Sequence, residues 1–209
     1  MSGKKPHDDF RKVIIKALEQ LNIEKAAQHS RLDHHTVGLD YLNLQRSDKF
    51  TLKLYLLAPN TNNNSGFLVH PHTHRYEFNT VVLAGRVENV VFADTGHSSL
   101  AGGMSDIPMI RHNYSPEGIS GKPKGTWLCQ TDDSGIYNAG ESYYLKTDQI
   151  HTLRTSNRPT LLCLSQFADL AEKSSLYLPP GYELGRPTGY IPTVSETEVL
   201  RQRCLDLLQ

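Results

Sequence analysis

Apolar side chains recur at helical spacing only near the two ends of this chain. In residues 8–22 they form a continuous stripe, made of Phe10, Val13, Ile14, Ala17, Leu18 and Leu21. A shorter helix is predicted over residues 23–28. A final helix is predicted to start near Ser195, because Ser195 and Glu198 have the spacing of a capping box. Helices are therefore expected before and after the central region, but not within it.

The central region has the two-residue periodicity of half-buried strands. The clearest strand is 50–57, in which Phe50, Leu52, Leu54 and Leu56 share one face. The alternation after Thr36 is less regular and predicts a weaker strand. Further strands are predicted over residues 80–83, 87–92, 126–130, 140–146, 150–154 and 160–167. Short strands separated by turns, with helices only at the ends, predict one antiparallel sandwich or barrel.

These patterns divide the chain into three parts. Residues 1–35 are expected to form an N-terminal helical segment, and residues 36–170 the barrel. Residues 171–209 are expected to form an extended tail and a C-terminal helix packed on the barrel. Residues 94–125 are rich in Gly, Ser and Pro, and they are either a long insertion or an edge segment with irregular strands. A chain of 209 residues with 38% hydrophobic residues is sufficient for one sizeable core.

Charge and composition narrow the classes of partner. Lys+Arg and Asp+Glu are both 22, so the formal net charge of zero gives no electrostatic case for nucleic acid or an anionic membrane. No apolar run reaches the roughly 20 residues of a membrane span, and the N-terminal residues lead into no apolar signal segment. Cys129, Cys163 and Cys204 are too scattered for a disulfide framework or a zinc ribbon. A soluble, cytoplasmic protein without nucleic-acid or membrane partners is expected.

The main candidates for chemistry are histidines. His72 and His74 precede an apolar strand at alternate positions, so in extended chain their imidazoles point to the same side. His151, at the start of a distant strand, is the best third ligand. Three neutral imidazoles suit Fe(II), Zn(II), Ni(II), Cu(II) or Mn(II). The alternatives are a solvated polar strand entry, or a register that uses His70, His72 and Glu77. That register puts Pro71 between the ligands, where a central strand would lose a hydrogen bond.

The spacing of these histidines resembles the first motif of the cupin superfamily. That motif is HxH, three or four residues, Glu, six residues and Gly. Here His72-Thr-His74 is followed by three residues, Phe78, six residues and Gly85, so Phe78 occupies the glutamate position.

The second cupin motif is Gly, five residues, Pro-x-Gly, two residues, His, three residues and Asn. Gly140, Lys146, Asp148, His151 and Thr155 match its spacing, with Lys146, Asp148 and Thr155 replacing Pro, Gly and Asn. The resemblance covers residues 36–167. It implies an all-β core with the double-stranded β-helix (jelly-roll) barrel of cupins, flanked by the N- and C-terminal helices.

A cupin without the glutamate has a three-histidine site, which is similar to that of the thiol dioxygenases, the cysteine dioxygenase group. The resemblance implies that His72, His74 and His151 hold one divalent transition metal. Fe(II) is favoured, with Zn, Ni or Mn as alternatives. It implies a mononuclear non-haem iron dioxygenase acting on a small molecule, and it is compatible with a homodimer. The alternatives are a non-catalytic cupin that binds a small molecule or a metal, a cupin isomerase or epimerase, and an assembly subunit with structural histidines.

Tyr76 continues the inward face of the histidine segment, so its phenol is a catalytic candidate near the metal, with an ordinary core tyrosine as the alternative. Arg86 could hold a substrate carboxylate or lie on the surface. One of Tyr143 and Tyr144 must face inward. The other histidines lie in polar or turn contexts and are not predicted to be ligands; they are His7, His29, His34, His35, His97 and His112. If extended, His34 and His35 would point in opposite directions.

Overall fold

A computed structural model describes residues 6–59, 67–96, 106–115, 118–182 and 189–209. Its three helices are α1 (Pro6–Glu19), α2 (Ile23–His29) and α3 (Val194–Asp206). Its strands are β1 (Leu39–Arg46), β2 (Phe50–Leu57), β3 (Tyr76–Ala84), β4 (Arg86–Gly96), β5 (Ile107–Ser115), β6 (Gly118–Gln130), β7 (Gly135–Asn138), β8 (Ser142–Leu145), β9 (Ile150–Thr155), β10 (Thr160–Asp169) and β11 (Ser174–Leu178).

The strands form two antiparallel sheets. The first has the order β1-β2-β10-β3-β8 and the second β11-β5-β6-β4-β7, with β9 paired to the other edge of β4. The consecutive strands β8, β9 and β10 alternate between the two sheets, which is how a jelly roll is wound. The predicted all-β core with a cupin-type jelly-roll barrel and terminal helices is therefore confirmed.

Strand alternation separates the inside of the barrel from its outside. On β2, Tyr55 and Leu57 contact the inward cluster, whereas Leu54 and Leu56 contact the outward one. The inward cluster joins residues of both sheets, which therefore pack face to face; its buried members are Leu39, Leu57, Phe78, Val82, Val87, Val91, Tyr143, Leu145, Leu162 and Leu164.

The helices cover the outer face of the first sheet. Ile14 and Leu18 of α1 and Leu200 of α3 are buried in the outward cluster. Cys163 of β10 belongs to the same cluster at 1% exposure and acts there as a small hydrophobe. Val13, which the sequence places in the α1 stripe, is 61% exposed, so the buried face of α1 is narrower than its apolar pattern predicts.

The start of α3 differs from the expectation by two residues. Thr193 is the N-cap, and its side chain and that of Glu196 form the capping box. Glu198, expected to close the box with Ser195, instead pairs with Arg201. Thr193 and Ser195 both have a glutamate three residues later, so the local pattern is satisfied twice and does not decide between them.

The described part of the segment 94–125 consists of strands. Strand β5 pairs with β6 from Ile107↔Leu128 to Ser115↔Gly118, and β11 pairs with the other edge of β5. The described residues of this segment therefore form strands, but β5 lies inside the second sheet, between β6 and β11, and not at its edge. Among the helices of the described ranges, none combines the length and apolarity needed to cross a bilayer.

Gly85 connects β3 to β4 and supports a prediction about stability. Its φ is +78°, and a Cβ added there would lie 2.6 Å from the Pro159 carbonyl oxygen and 2.7 Å from Thr160 Oγ1. Gly85→Ala should therefore lower the free energy of unfolding by more than the ~1–2 kcal/mol that left-handed backbone alone costs. Gly96→Ala is the matched control, because Gly96 has a φ of +73° and no atom of the described residues lies within 4 Å of the added Cβ. Equal losses in urea denaturation would contradict this account.

Candidate metal centre

The histidine segment lies before β3 rather than within it, because β3 begins only at Tyr76. The backbones of His72 and His151 pair reciprocally: His72 N–H donates to His151 O at 3.0 Å, and His151 N–H donates to His72 O at 2.9 Å. On the other side, Thr73 N–H donates to Ser175 O at 2.9 Å. The segment is thus held extended between β9 and β11, which explains why alternation works outside a named strand.

The structure brings the three predicted ligands together. One nitrogen from each of His72, His74 and His151 lies within 4.8 Å of the others. The Nε2 atoms of His74 and His151 are 2.9 Å apart. Two nitrogens that each lie about 2.0–2.1 Å from one metal ion at a right angle are about 2.9 Å apart. The three donor types and the spacing of the His74–His151 pair fit a divalent transition metal.

Two of the imidazoles are oriented by hydrogen bonds from their other nitrogen. His72 Nδ1 lies 2.8 Å from the carbonyl oxygen of His70, and His151 Nδ1 lies 2.7 Å from Asn89 Oδ1. Both partners are acceptors, so each Nδ1 carries the proton and each Nε2 presents a free lone pair. Asn89 is 2% exposed and lies between the inward Val87 and Val91 on β4. The only indication of this role in the sequence was a polar residue, Asn89, between apolar residues on the same face of a strand.

Enclosure by the barrel keeps these imidazoles neutral. Burial lowers the pKa of His72 and, more strongly, the pKa values of His74 and His151, and the neighbouring imidazoles add to the effect for His74. A neutral imidazole is the form that binds a metal. The three side chains are therefore in the correct protonation state at neutral pH.

Phe78 forms an apolar wall where most cupins have a ligand carboxylate. It is 1% exposed, and its ring centre is 4.8 Å from that of His74, edge to face, and 5.8 Å from that of His151. Glu77 points to the opposite face of β3, where it accepts a hydrogen bond from Tyr144. The structure therefore brings no carboxylate from β3 to the three histidines.

His70 is likewise apart from the group. Its ring packs edge to face on Tyr182 with the centres 4.5 Å apart, and only its carbonyl oxygen reaches His72. The alternative register, with His70 and Glu77 as ligands, is not what the structure assembles.

Tyr76 faces the site, as the alternation predicts. Its ring centre is 5.1 Å from that of His74. Burial raises the pKa of its phenol, so the group stays protonated at neutral pH and can donate a hydrogen bond. Of the tyrosine pair on β8, Tyr143 is buried and Tyr144 is exposed.

The sequence missed part of the barrel interior next to the histidines. We call it the inner chamber; it is lined by His34, Tyr41, Lys53, Tyr55, His72, His74 and Tyr76, and the exposed His35 lies beside it. The rings form a continuous chain of contacts across the barrel. Lys53, Tyr55 and Tyr76 point between the sheets; the two tyrosines pack against the inward cluster, and all three side chains remain partly accessible to solvent.

The turn before β1 brings His34 into the inner chamber and leaves His35 exposed beside it. Asp33 and His35 have φ values of 51° and 66°, so the chain is not extended there. The two rings lie 3.8 Å apart instead of pointing in opposite directions, and the His35 ring centre is 6.1 Å from that of His72. Divergent side chains were expected only for extended backbone, and the backbone at Asp33 and His35 is not extended.

Arg86, the other arginines near the motifs and the remaining described histidines lie away from the three ligands. Arg86 is exposed, Arg75 pairs with Asp169 at 3.0 Å, and Arg154 pairs with Glu88 at 2.8 Å. His29 is on α2 and His112 on β5; the side chain of His7 and all of His97 lie outside the described residues. A cleft of about 480 Å³ opens beside His74 toward the second sheet, with Asp94, Arg111, Asp148 and Tyr177 in its lining.

His34 should make the stability of the protein sensitive to acid. Burial lowers the pKa of its imidazole far below the ordinary 6.5. Below pH 6.5 the unfolded chain takes up a proton that folded His34 does not, so stability falls as pH falls. His34→Phe keeps a ring, and its free energy of unfolding should fall by about 2 kcal/mol less than that of wild type between pH 7 and pH 5 in urea denaturation. His29→Phe is the control, and equal losses in wild type and His34→Phe would contradict this assignment.

The comparisons with known proteins add only distant likenesses. No protein-family model and no curated protein matches the chain. The crystal structure of the DMSP lyase DddQ from Ruegeria pomeroyi DSS-3 is similar over 69% of this chain, with 17% identity and a TM-score of 0.39. The match spans about half of that protein, 54% of its chain.

Two further structures are similar at the same level. A cupin superfamily protein from Desulfitobacterium hafniense DCB-2 matches 63% of this chain and 78% of its own, with 11% identity and a TM-score of 0.36. Hydroxypropylphosphonic acid epoxidase from S. wedmorenis matches 68% of this chain and 56% of its own, with 10% identity and a TM-score of 0.40. At these TM-scores the likenesses say nothing about chemistry. The strand order and the converging histidines themselves give the chain the cupin-type barrel that its sequence motifs predict.

Proposed function

We propose that this protein is a mononuclear non-haem iron dioxygenase that acts on a small molecule. The observation that supports this is the convergence of His72, His74 and His151 with Phe78 in place of a ligand carboxylate. Only neutral side chains would then hold the ion, and its full positive charge would remain for an anionic substrate. A small thiol, bound as its thiolate, is the substrate class that suits such a site.

The proposed reaction adds both atoms of O2 to the sulfur of a thiolate, which gives a sulfinate; the sulfur is oxidised and O2 is reduced. When bound, a ferrous ion would supply Lewis acidity and one-electron redox chemistry. The imidazoles of His72, His74 and His151 would hold it. The chain's other residues then orient the ligands, exclude water and place a proton donor.

Asn89 and the carbonyl of His70 fix the ring orientation of two ligands, so that these ligands need little rearrangement when the metal binds. The Phe78 ring covers one side of the site and keeps water out of it. The ring centre of Tyr76 is 5.1 Å from that of His74, and its phenol is protonated. Tyr76 is therefore placed to donate a hydrogen bond to a bound substrate. Tyr76 is therefore the proposed catalytic side chain.

Location and assembly follow from the same proposal. A cytoplasmic protein would meet small thiols in their reduced form. A homodimer would cover a sheet edge; among the described strands, β8 ends the first sheet on the side away from β1.

Metal binding is the first test. Protein purified without chelators should contain about one transition metal ion per chain, measured by elemental analysis. His72→Ala, His74→Ala and His151→Ala should each abolish this binding, because two imidazoles hold a divalent ion too weakly to survive purification. If the triple variant retained its metal, the assignment of the ligands would be wrong.

Asn89 offers a graded version of this test. Asn89→Leu removes the acceptor for His151 Nδ1–H and should weaken metal binding about 10–100-fold without abolishing it. Asn79→Leu is the matched control, because Asn79 lies on the opposite face of β3 from Phe78. Competition with a chelating dye measures both affinities, and equal affinities of the two variants would contradict the orienting role of Asn89.

Oxygen uptake tests the reaction itself. Fe(II)-loaded protein should consume one O2 for each sulfinate formed from at least one member of a panel of small thiols. Zn(II)-loaded protein should consume none, because zinc has no redox chemistry. If the iron-loaded protein binds its metal but consumes no O2 across the panel, a non-catalytic binding role or an isomerase role replaces the dioxygenase.

A further inference from the structure

Lys53 carries its ammonium group inside the barrel among neutral partners. It projects from β2 into the inner chamber, where Nζ donates a hydrogen bond to Gln166 Oε1 at 2.8 Å. Nζ also lies 5.0 Å from the ring centre of Tyr41 and 6.0 Å from that of Tyr76. In the described part of the chain, no carboxylate oxygen lies within salt-bridge distance of Nζ.

The carboxylate that influences Lys53 most, Asp169, is already engaged. It pairs with Arg75 at 3.0 Å. An enclosed cation without an anion is costly, because water is lost and no opposite charge replaces it. Burial lowers the pKa of Lys53 to about 8, which still leaves the amine mostly protonated at pH 7. The chamber therefore holds a positive charge that the folded chain does not compensate.

A second unmet hydrogen-bonding group lies next to Lys53. Asn43 of β1 is its direct cross-strand partner, and side chains at such paired positions share a face of the sheet. Asn43 is 3% exposed, and its Nδ2 has no hydrogen-bond acceptor. A buried donor without an acceptor costs free energy just as an unpaired charge does. Two neighbouring donors on the chamber wall thus lack an anionic acceptor.

We propose that Lys53 and Asn43 bind the carboxylate group of a small organic ligand in the inner chamber. A carboxylate has two oxygens, so one can accept from Lys53 Nζ and the other from Asn43 Nδ2 once the flexible lysine chain shifts aside. Its single negative charge matches the single positive charge of the Lys53 ammonium. The rings of Tyr41, Tyr55 and Tyr76 provide walls for the carbon skeleton.

The cleft beside His74 does not offer the same chemistry. Its Arg111 donates to Ser175 Oγ at 3.1 Å and lies 3.8 Å from Asp94, so its charge is already partnered. Asp94 and Asp148 also line the cleft and disfavour an anion there. Lys173 also lines the cleft, but its side chain is exposed to solvent, whereas Lys53 is partly buried.

The carboxylate site does not require a metal, so metal-free protein tests it separately from the proposed function. The probes are propionate and benzoate, each compared with its amide, propionamide and benzamide. The amides keep the shape and lose the charge. NMR titration at pH 7 should show that wild type binds at least one carboxylate at least tenfold more tightly than its amide.

The variants assign this preference to residues. Lys53→Met and Lys53→Gln should abolish the tenfold preference, Asn43→Leu should weaken carboxylate binding severalfold, and Lys53→Arg should retain it. Lys49→Met is the matched control, because Lys49 is exposed in the turn that precedes the same strand, and it should bind as wild type does. Two neutral replacements of Lys53 are included so that a folding failure in one leaves the other to decide.

Three results would overturn the proposal. Wild type could bind neither carboxylate, it could bind carboxylates and amides equally well, or the neutral Lys53 variants could retain the preference. Because iron and oxygen are absent from the titration, a failure here would leave the metal centre untouched. In the same way, a failure of the metal-binding test would leave the proposed carboxylate site unaffected.

Discussion

The reciprocal backbone hydrogen bonds between His72 and His151 are the interaction on which the site depends. They join two parts of the chain that are far apart in sequence, and they place the side chains of the pair on one side of the barrel wall. With His72 fixed, the extended backbone puts His74 on the same side two residues later. The metal centre is therefore a consequence of closing the barrel, and no local segment could form it alone.

The interior of this barrel is divided between packing and chemistry. The outward face of the first sheet, under the helices, is a packed apolar cluster that contains Leu54 and Cys163. The inward face is apolar near Phe78 and Val82 but becomes polar and accessible toward Tyr76 and Lys53. Enclosing imidazoles and an ammonium group lowers stability, and such local costs are typical of functional sites. The helices on the outside supply part of the burial that offsets this cost.

Much of the fold follows from strand alternation, because β2, β3 and β10 each bury one or both faces and show it in their sequences. The spacing between His72 and Gly85, and between Gly140 and His151, was enough to select the three histidines. Alternation did not predict the first half of β6. That half is rich in Gly and Lys and is mostly exposed, so its sequence has no alternating apolar positions. Alternation also failed for His34, since positive φ values around it arise from the tertiary fold and leave no pattern in the sequence. The inward position of Lys53 was not predicted, because a lysine between two leucines on a strand normally faces solvent.

The central claim is that one metal ion binds to the Nε2 atoms of His72, His74 and His151. Anomalous diffraction from crystals of protein grown with iron and purified without chelators measures this directly. The account predicts a single strong anomalous peak between the three imidazoles, with no protein carboxylate among its ligands. A peak elsewhere, or a peak coordinated by Glu77 or by His70, would contradict it.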